Sequence, residues 1–249
     1  MNLAQAVRRR VDSRSPLELF SPDVVAKRDE SHLAIAKELS RLRADGEIIR
    51  ARKGVYYKPK KSRFGVLKPS ESDIIKFLLF EKGKRIGYIS GLRLYNRLGL
   101  TSQVSGVVEI ACKFERRSGE FMGLRVRYIK SYSDVKKDDI QLLEILDAIK
   151  DSNRIPDASQ IAIIRSLFKL IQNLSPKKQV ELAKIAMKYP PRVKAIIGAM
   201  IALLNPERKE DMFVLKALRS QIPNTSQYEF KMIGSLLPNS SNWELHGTT

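Results

Sequence analysis

"SHLAIAKELSRLRADGEIIRARKGVYYKPK", residues 31–60, changes its periodicity halfway along. Up to Ala44 the apolar residues recur at helical spacing. With Ile35 set at zero and 100° added per residue, Leu39 and Leu42 fall within about 40° of it and form one stripe for burial. Ala34, Lys37, Arg41 and Ala44 lie on the opposite side. Ser31 or Asp29 is placed to cap the helix, and Asp45-Gly46 stops it, since glycine readily takes the left-handed C-cap conformation. Beyond Gly46 the pattern alternates: Ile48, Arg50 and Arg52 against Ile49, Ala51 and Lys53. Val55, Tyr56 and Tyr57 are strand formers, Lys53-Gly54 marks a chain reversal, and Pro59 ends the second run. The stretch therefore predicts a helix followed by a tight basic hairpin.

Upstream, residues 1–11 can form a helix with Leu3, Ala6 and Val7 on one side, and "SPLELF" at 15–20 is a candidate strand. "SPDVVAKR" at 21–28 starts a helix well: Ser21 caps, Pro22 suits the first helical position and Asp23 complements the dipole. Helix, strand, helix, helix, hairpin is the order of a winged helix-turn-helix, whose second motif helix, here 31–44, enters a major groove. On that reading Arg41 faces a guanine edge, Lys37 a base or phosphate, and the alanines permit close approach. Arg50, Arg52, Lys53 and Lys58 ride the hairpin, placed for phosphate or a minor groove. Two duller readings stand beside this one. Arg41 can pair with Glu38 or Asp45 on the helix surface, and a helix with a hairpin also occurs in domains that bind only proteins.

The composition agrees with a polyanionic partner. The 249 residues hold 46 Lys and Arg against 27 Asp and Glu, a formal charge of +19, and residues 1–65 are the most basic part for their length. Double-stranded DNA is a more natural partner than a membrane for such a chain. Cys112 is the single cysteine, so no intrachain disulfide can form, and with His32 and His246 as the only histidines no ordinary structural zinc site is available. "MNLAQAVRRRV" lacks the apolar core of a signal peptide, and the longest apolar run, 195–204, is far short of a membrane span. The expectation is a cytoplasmic protein without a cofactor.

Further along, the Lys- and Pro-rich "KPKKSRFGVLKPS" at 58–70 reads as a linker. Ser70 and Glu71 open a helix to about Phe80, Ser90 is placed to cap a short helix ending near Leu98-Gly99, and 104–114 and 124–131 look like strands joined by a polar turn. A helix from Asp138 to about Ser152 closes that portion. Ile161, Ile164, Phe168 and Ile171 begin a helical run. Ser175-Pro176 starts another helix, Pro190-Pro191 precedes the apolar 195–204 helix, and a helix from Lys209 to Ser220 leads into a weakly structured end. The predicted class is α+β, mainly α: a winged helix-turn-helix at 1–62, a small mixed α/β domain at 66–156 and a helical region at 157–249.

"LSRLRADGEIIRARKGVYYKPK" at 39–60, "FGVLKPS" at 64–70, "GKRIGYISGLRLYNRLGLTSQV" at 83–104, "VEIACK" at 108–113 and "LLEILDAIKDSNRIPD" at 142–157 together resemble the AbiEi-like antitoxins of bacterial type IV toxin–antitoxin and abortive-infection systems. The second long block is the more specific, since a generic winged helix is not followed by "GYISGLRLYNRLGLT". The resemblance covers about residues 1–157, and residues after about 205 match no pattern of it. It implies an antitoxin and transcription repressor whose N-terminal winged helix binds its own promoter. It also implies a further portion that counters a nucleotidyltransferase-like toxin, without requiring a stable complex. The DNA-binding positions that correspond are Lys37 and Arg41 on the helix and Arg50, Arg52 and Lys53 on the wing.

The frames of common catalytic motifs are incomplete in this sequence. "GKRIGYISG" has three glycines but not the frame of a phosphate-binding P-loop, and Ser90 lacks the G-x-S-x-G frame of a nucleophile elbow. Glu109, Ala111 and Lys113 share one face of a strand, and Asp134, Asp138 and Asp139 follow. This is the raw material of a metal-dependent nuclease, but with the wrong acid-to-lysine spacing, and the three aspartates sit where a helix start favours them. Tyr88, Arg93, Tyr95 and Arg97 offer either a stacking surface for single-stranded bases or core tyrosines beside solvated arginines. No enzymatic activity is expected.

Overall fold

The computed structural model describes residues 2–27, 30–206, 209–231 and 233–248. The class is α+β, with many helices and small sheets. The chain forms two compact units, Met1–Gly87 with Gly119–Arg125, and Tyr88–Ser118 with Val126–Thr249.

In the first unit, α1 (Leu3–Asp12) is capped by the Asn2 side chain. A single extended residue, Phe20, bridges to Tyr56, where a longer strand was expected. The one-turn α2 (Pro22–Val25) begins at Pro22 as its sequence suggests. Next come α3 (His32–Ala44), β1 (Ile49–Arg52) and β2 (Val55–Tyr57), the last two antiparallel. Val7 and Val11 of α1 pack with Phe20, Val25, Ile35, Leu39, Leu42 and Ile48 in a small closed core. The expected linker is instead a second antiparallel hairpin, β3 (Lys60–Ser62) with β4 (Gly65–Leu67). It escapes a sequence reading because its two three-residue strands bury nothing, so no apolar alternation announces them. A capping box between Ser70 and Asp73 starts α4 (Glu71–Leu78), and β5 (Phe80–Glu81) and β6 (Lys84–Arg85) make a short hairpin.

Further along the chain, β7 (Gly87–Ser90) is followed by α5 (Gly91–Arg97), β8 (Val107–Cys112), β9 (Gly119–Phe121) and β10 (Leu124–Lys130). In the sheet of the second unit β8 lies between β7 and β10. A 3-10 turn leads into α6 (Ile140–Lys150), then α7 (Gln160–Gln172), α8 (Pro176–Ala186), α9 (Pro191–Leu204) and α10 (Lys209–Arg219). One core runs from Tyr88 through α6 and Ile155 to α7, α9 and Trp243, so the expected boundary at 156 falls inside it. The end of the chain is more ordered than its sequence suggests. β11 (Tyr228–Lys231) pairs in parallel with β12 (Leu245–Thr248), with α11 (Ile233–Leu236) between them, and Phe230, Ile233, Leu237, Trp243 and Leu245 are buried. Its apolar residues are scattered over turns and short pieces, so none shows a period on its own.

At the centre of this core, the Asp147 carboxylate is almost wholly buried. It accepts hydrogen bonds from Ser90 Oγ (2.8 Å), Tyr88 Oη (2.9 Å) and Tyr189 Oη (3.2 Å), with Lys150 Nζ 3.7 Å away. Ser90 therefore does not cap α5 with its side chain, as its position suggested, because its hydroxyl is needed by Asp147. Burial pushes the Asp147 carboxyl up, against the pull of Lys150 and the three hydroxyls. Among the described residues, no helix is long and apolar enough to cross a membrane.

Gly198 in the middle of α9 lets the helix lie against the Trp243 ring, since a Cβ there would fall inside the indole's van der Waals envelope. Gly198→Ala is expected to lower stability by about 1–3 kcal/mol through overpacking. Trp243→Ala should cost about 3–5 kcal/mol through the cavity it leaves. In the Trp243→Ala background the Gly198→Ala penalty should disappear, and urea titration of the four proteins measures that coupling. Additive losses would show that Trp243 is not what the added methyl meets.

Candidate nucleic-acid interface

The geometry of α3 begins at its two ends. Ser31 accepts a hydrogen bond from the Ala34 amide at 3.5 Å, and Asp45 follows as C-cap with Gly46 at φ +75°. Asp29, the other expected cap, lies outside the described residues. The entry to the helix is clamped. Arg10 of α1 donates to both Glu30 oxygens (2.6 and 2.7 Å) and to the Val25 carbonyl (2.6 Å), and the Lys27 amide donates to Glu30 at 2.8 Å. Arg8 pairs with Glu47 just after the helix. Two ion pairs from α1 thus hold α3 at both ends, while Ile35, Leu39 and Leu42 seal its inner face.

Lys37 and Arg41 are accordingly exposed one turn apart on the outer face. Arg41 touches Glu38 loosely at 3.4 Å and stays 61% exposed, so that ion pair forms without occupying the guanidinium. An exposed ion pair of this kind contributes only about 0.3–0.5 kcal/mol. Leu33, absent from the expected set, stands four residues before Lys37 on the same face and is 84% exposed. A helical wheel extended one turn back would have shown it. An exposed leucine in line with Lys37 and Arg41 is chemically suited to a thymine methyl.

On the hairpin, Ile49 pairs with Tyr57, Arg50 with Tyr56 and Arg52 with Val55, with a bulge between Arg50 and Arg52. Arg50 and Arg52 both face solvent, with Lys53 exposed at the turn. The structure therefore groups the five expected residues in two sets, Lys37 and Arg41 on the helix and Arg50, Arg52 and Lys53 on the hairpin. Among the described residues, Lys37, Arg50 and Lys53 pair with no carboxylate. Arg52 lies over the Phe121 ring, 4.7 Å from its centroid, and Phe121 in turn packs at 5.7 Å on Phe77 of α4. Nothing local in the sequence announces this support, because Phe121 arrives from a distant segment. Lys58, also expected on the hairpin surface, instead donates to the Asp12 carbonyl at 2.8 Å and closes the end of α1.

The alternative chemistries find their groups dispersed. Glu109 is committed to Arg127, and Lys113 to Asp134. Asp139 sits beside Glu181, which is held by Lys178 at 2.6 Å. No group of three His, Cys, Asp or Glu among the described residues is arranged to hold a metal ion. Tyr88 and Tyr95 are buried, Tyr95 donating to Asp151 at 2.6 Å, and Arg97 pairs with Glu144 at 2.6 Å. Their rings offer no face for stacking bases, which overturns that reading.

Residues 19–118 match a family model described as a family of unknown function, DUF6088. The match is less than half of the chain and spans α2 through β8. No curated protein matches the sequence. A solved structure, the RV2827C protein from Mycobacterium tuberculosis, aligns with 98% of this chain and 90% of its own at 10% identity and a TM-score of 0.38, too low a likeness to carry any inference.

The Arg10–Glu30 clamp makes a pH prediction. Arg10's hydrogen bonds, with that of the Lys27 amide, hold the Glu30 carboxyl down at about 2, well below its ordinary 4.5. A depressed acid contributes stability above its unfolded value and loses it as pH falls through the folded one. Glu30→Gln should therefore melt below wild type at pH 7. The gap should stay constant down to about pH 5 and close toward pH 2. Calorimetric melts of both proteins across that range check this, and a gap that did not narrow would mean Glu30 is not held.

Proposed function

We propose that this protein is a DNA-binding antitoxin that represses its own promoter, using α1 through β2 as a winged helix-turn-helix. It counters a nucleotidyltransferase-like toxin. The observation that carries the DNA half is the outer row of α3, Leu33, Lys37 and Arg41. It is exposed because the opposite row is buried, and it is flanked by Arg50, Arg52 and Lys53 on the hairpin. A helix row of one apolar and two cationic side chains suits base edges, and a basic hairpin suits backbone phosphates. The antitoxin half rests on the resemblance of residues 1–157 to the AbiEi-like antitoxins. The single cysteine, Cys112, is buried, which fits a reducing cytoplasm. The proposed chemistry is recognition, and no catalytic residue is assigned.

Arg41→Ala is expected to lose about 1–3 kcal/mol at the promoter and much less on random DNA. Lys53→Ala should weaken both about equally and reduce the salt dependence by roughly one counterion. Titrations of the two duplexes at several salt concentrations separate these outcomes. Equal losses on both duplexes for Arg41→Ala, with unchanged melting, would remove its base-reading role.

In cells, full-length Arg41→Ala should release the promoter while still protecting against the toxin. Reporter expression and survival under toxin induction are the two measurements. Loss of protection in step with repression would contradict a division of labour between the α3 surface and the rest of the chain.

A further inference from the structure

We infer that the β3–β4 hairpin is a second DNA contact, one that places Arg63 and Phe64 in the minor groove and bends the duplex. This rests on the DNA-binding reading and goes beyond it. Lys60 pairs with Leu67, Lys61 with Val66 and Ser62 with Gly65, which leaves Arg63-Phe64 as a two-residue tip. Ser62 Oγ accepts from the Phe64 amide at 3.2 Å and donates to the Gly65 carbonyl at 3.0 Å. Gly65 stands at φ +112°, which a side chain would oppose. The tip is thereby pinned with Phe64 pointing outward.

Phe64 is 86% exposed, Val66 50% and Leu67 39%. Scattered exposed apolar residues are ordinary, but three on one eight-residue hairpin among Lys60, Lys61, Arg63 and Lys68 are not. Those four cations are exposed and, among the described residues, none pairs with a carboxylate. The surrounding sequence is acid-free from Ile48 to Ser70, while it carries Arg50, Arg52, Lys53 and Lys58 as well. Such a surface complements a polyanion with something to wedge apart. The Arg63 guanidinium lies over one face of the Phe64 ring, 4.8 Å from its centroid, so ring and cation enter a groove together. Arginine is attracted by the potential of a narrow minor groove, and an apolar side chain beside it can part a base step. Reach also fits. Three steps from Tyr57 to Lys60 span at most about 11 Å, so the second hairpin starts beside the first. On this inference that hairpin takes the minor groove next to the major groove that α3 would occupy.

The test uses the full-length protein and an A·T-rich duplex of about 30 base pairs, end-labelled for energy transfer. A matched single strand and phosphatidylserine vesicles serve as competitors. Wild type should bring the duplex ends closer. Phe64→Ala should abolish that bend and weaken duplex binding on the order of tenfold. Phe64→Leu, which keeps an apolar wedge, should retain part of both, and melting should be unchanged in each because the site is exposed. Binding and bending by Phe64→Ala equal to wild type would overturn the inference. So would a Phe64-dependent preference for the single strand or for the vesicles. If Lys53→Ala still weakens duplex binding while Phe64→Ala does not, only the hairpin's role falls. If wild type binds no duplex at all, the DNA reading falls with it.

Discussion

Three side chains on one helix must leave water together. Ile35, Leu39 and Leu42 are each essentially unexposed, and burial of each stabilises the fold by about 1.5–3 kcal/mol. A helix cannot turn that stripe inward without turning Lys37 and Arg41 outward, so the direction of the cations follows from the burial of the stripe. Val7 and Val11 of α1 supply the surface the stripe needs, and the same α1 sends Arg8 and Arg10 to the acidic residues at the helix ends. The core thus sets both the rotation of α3 and its endpoints.

Net charge alone overstates what this surface offers a partner. Arg8, Arg10, Lys58, Arg97 and Arg127 are occupied with carboxylates or carbonyls and hold the fold together. Lys37, Arg50, Lys53 and the cations of the second hairpin are exposed without such partners among the described residues. Arg52 is intermediate, supported by an aromatic ring that keeps its charge available. A guanidinium over an aromatic face loses less freedom on binding a phosphate than a solvated one, which makes Arg52 a pre-ordered contact on the proposed reading.

The second unit shows the complementary problem of polar groups placed where apolar ones are expected. Asp147 is tolerated in the core because three hydroxyls and a nearby lysine answer it, and each hydroxyl left without it would cost about 1–3 kcal/mol. The donors Tyr88 and Ser90 come from the "GYISGLRLYNRLGLTSQV" block, and Asp147 comes from the "LLEILDAIKDSNRIPD" block. Tyr95 to Asp151, and Thr101 and Ser102 to Asp157, join the same two blocks. Residues that looked like a stacking surface are the buried half of a hydrogen-bond network.

Read alone, the sequence determined what depends on neighbours a few positions away. The α3 stripe, the Ser31 and Ser70 caps, the Lys53-Gly54 turn and the burial of Ala195 to Ile201 are all consequences of local periodicity and backbone preference. Lys37 and Arg41 were visible for the same reason, since exposure on a helix is the complement of its apolar face, and Arg50 and Arg52 through the alternation of their strand. Only tertiary structure decided which distant group each side chain meets. Phe121 beneath Arg52, Asp12 taking Lys58, Asp147 taking Ser90 and the parallel pairing of residues 228–231 with 245–248 depend on the path of the chain between them. The β3–β4 hairpin was hidden for a further reason: it buries no face, and a strand without a buried face leaves no alternation to read.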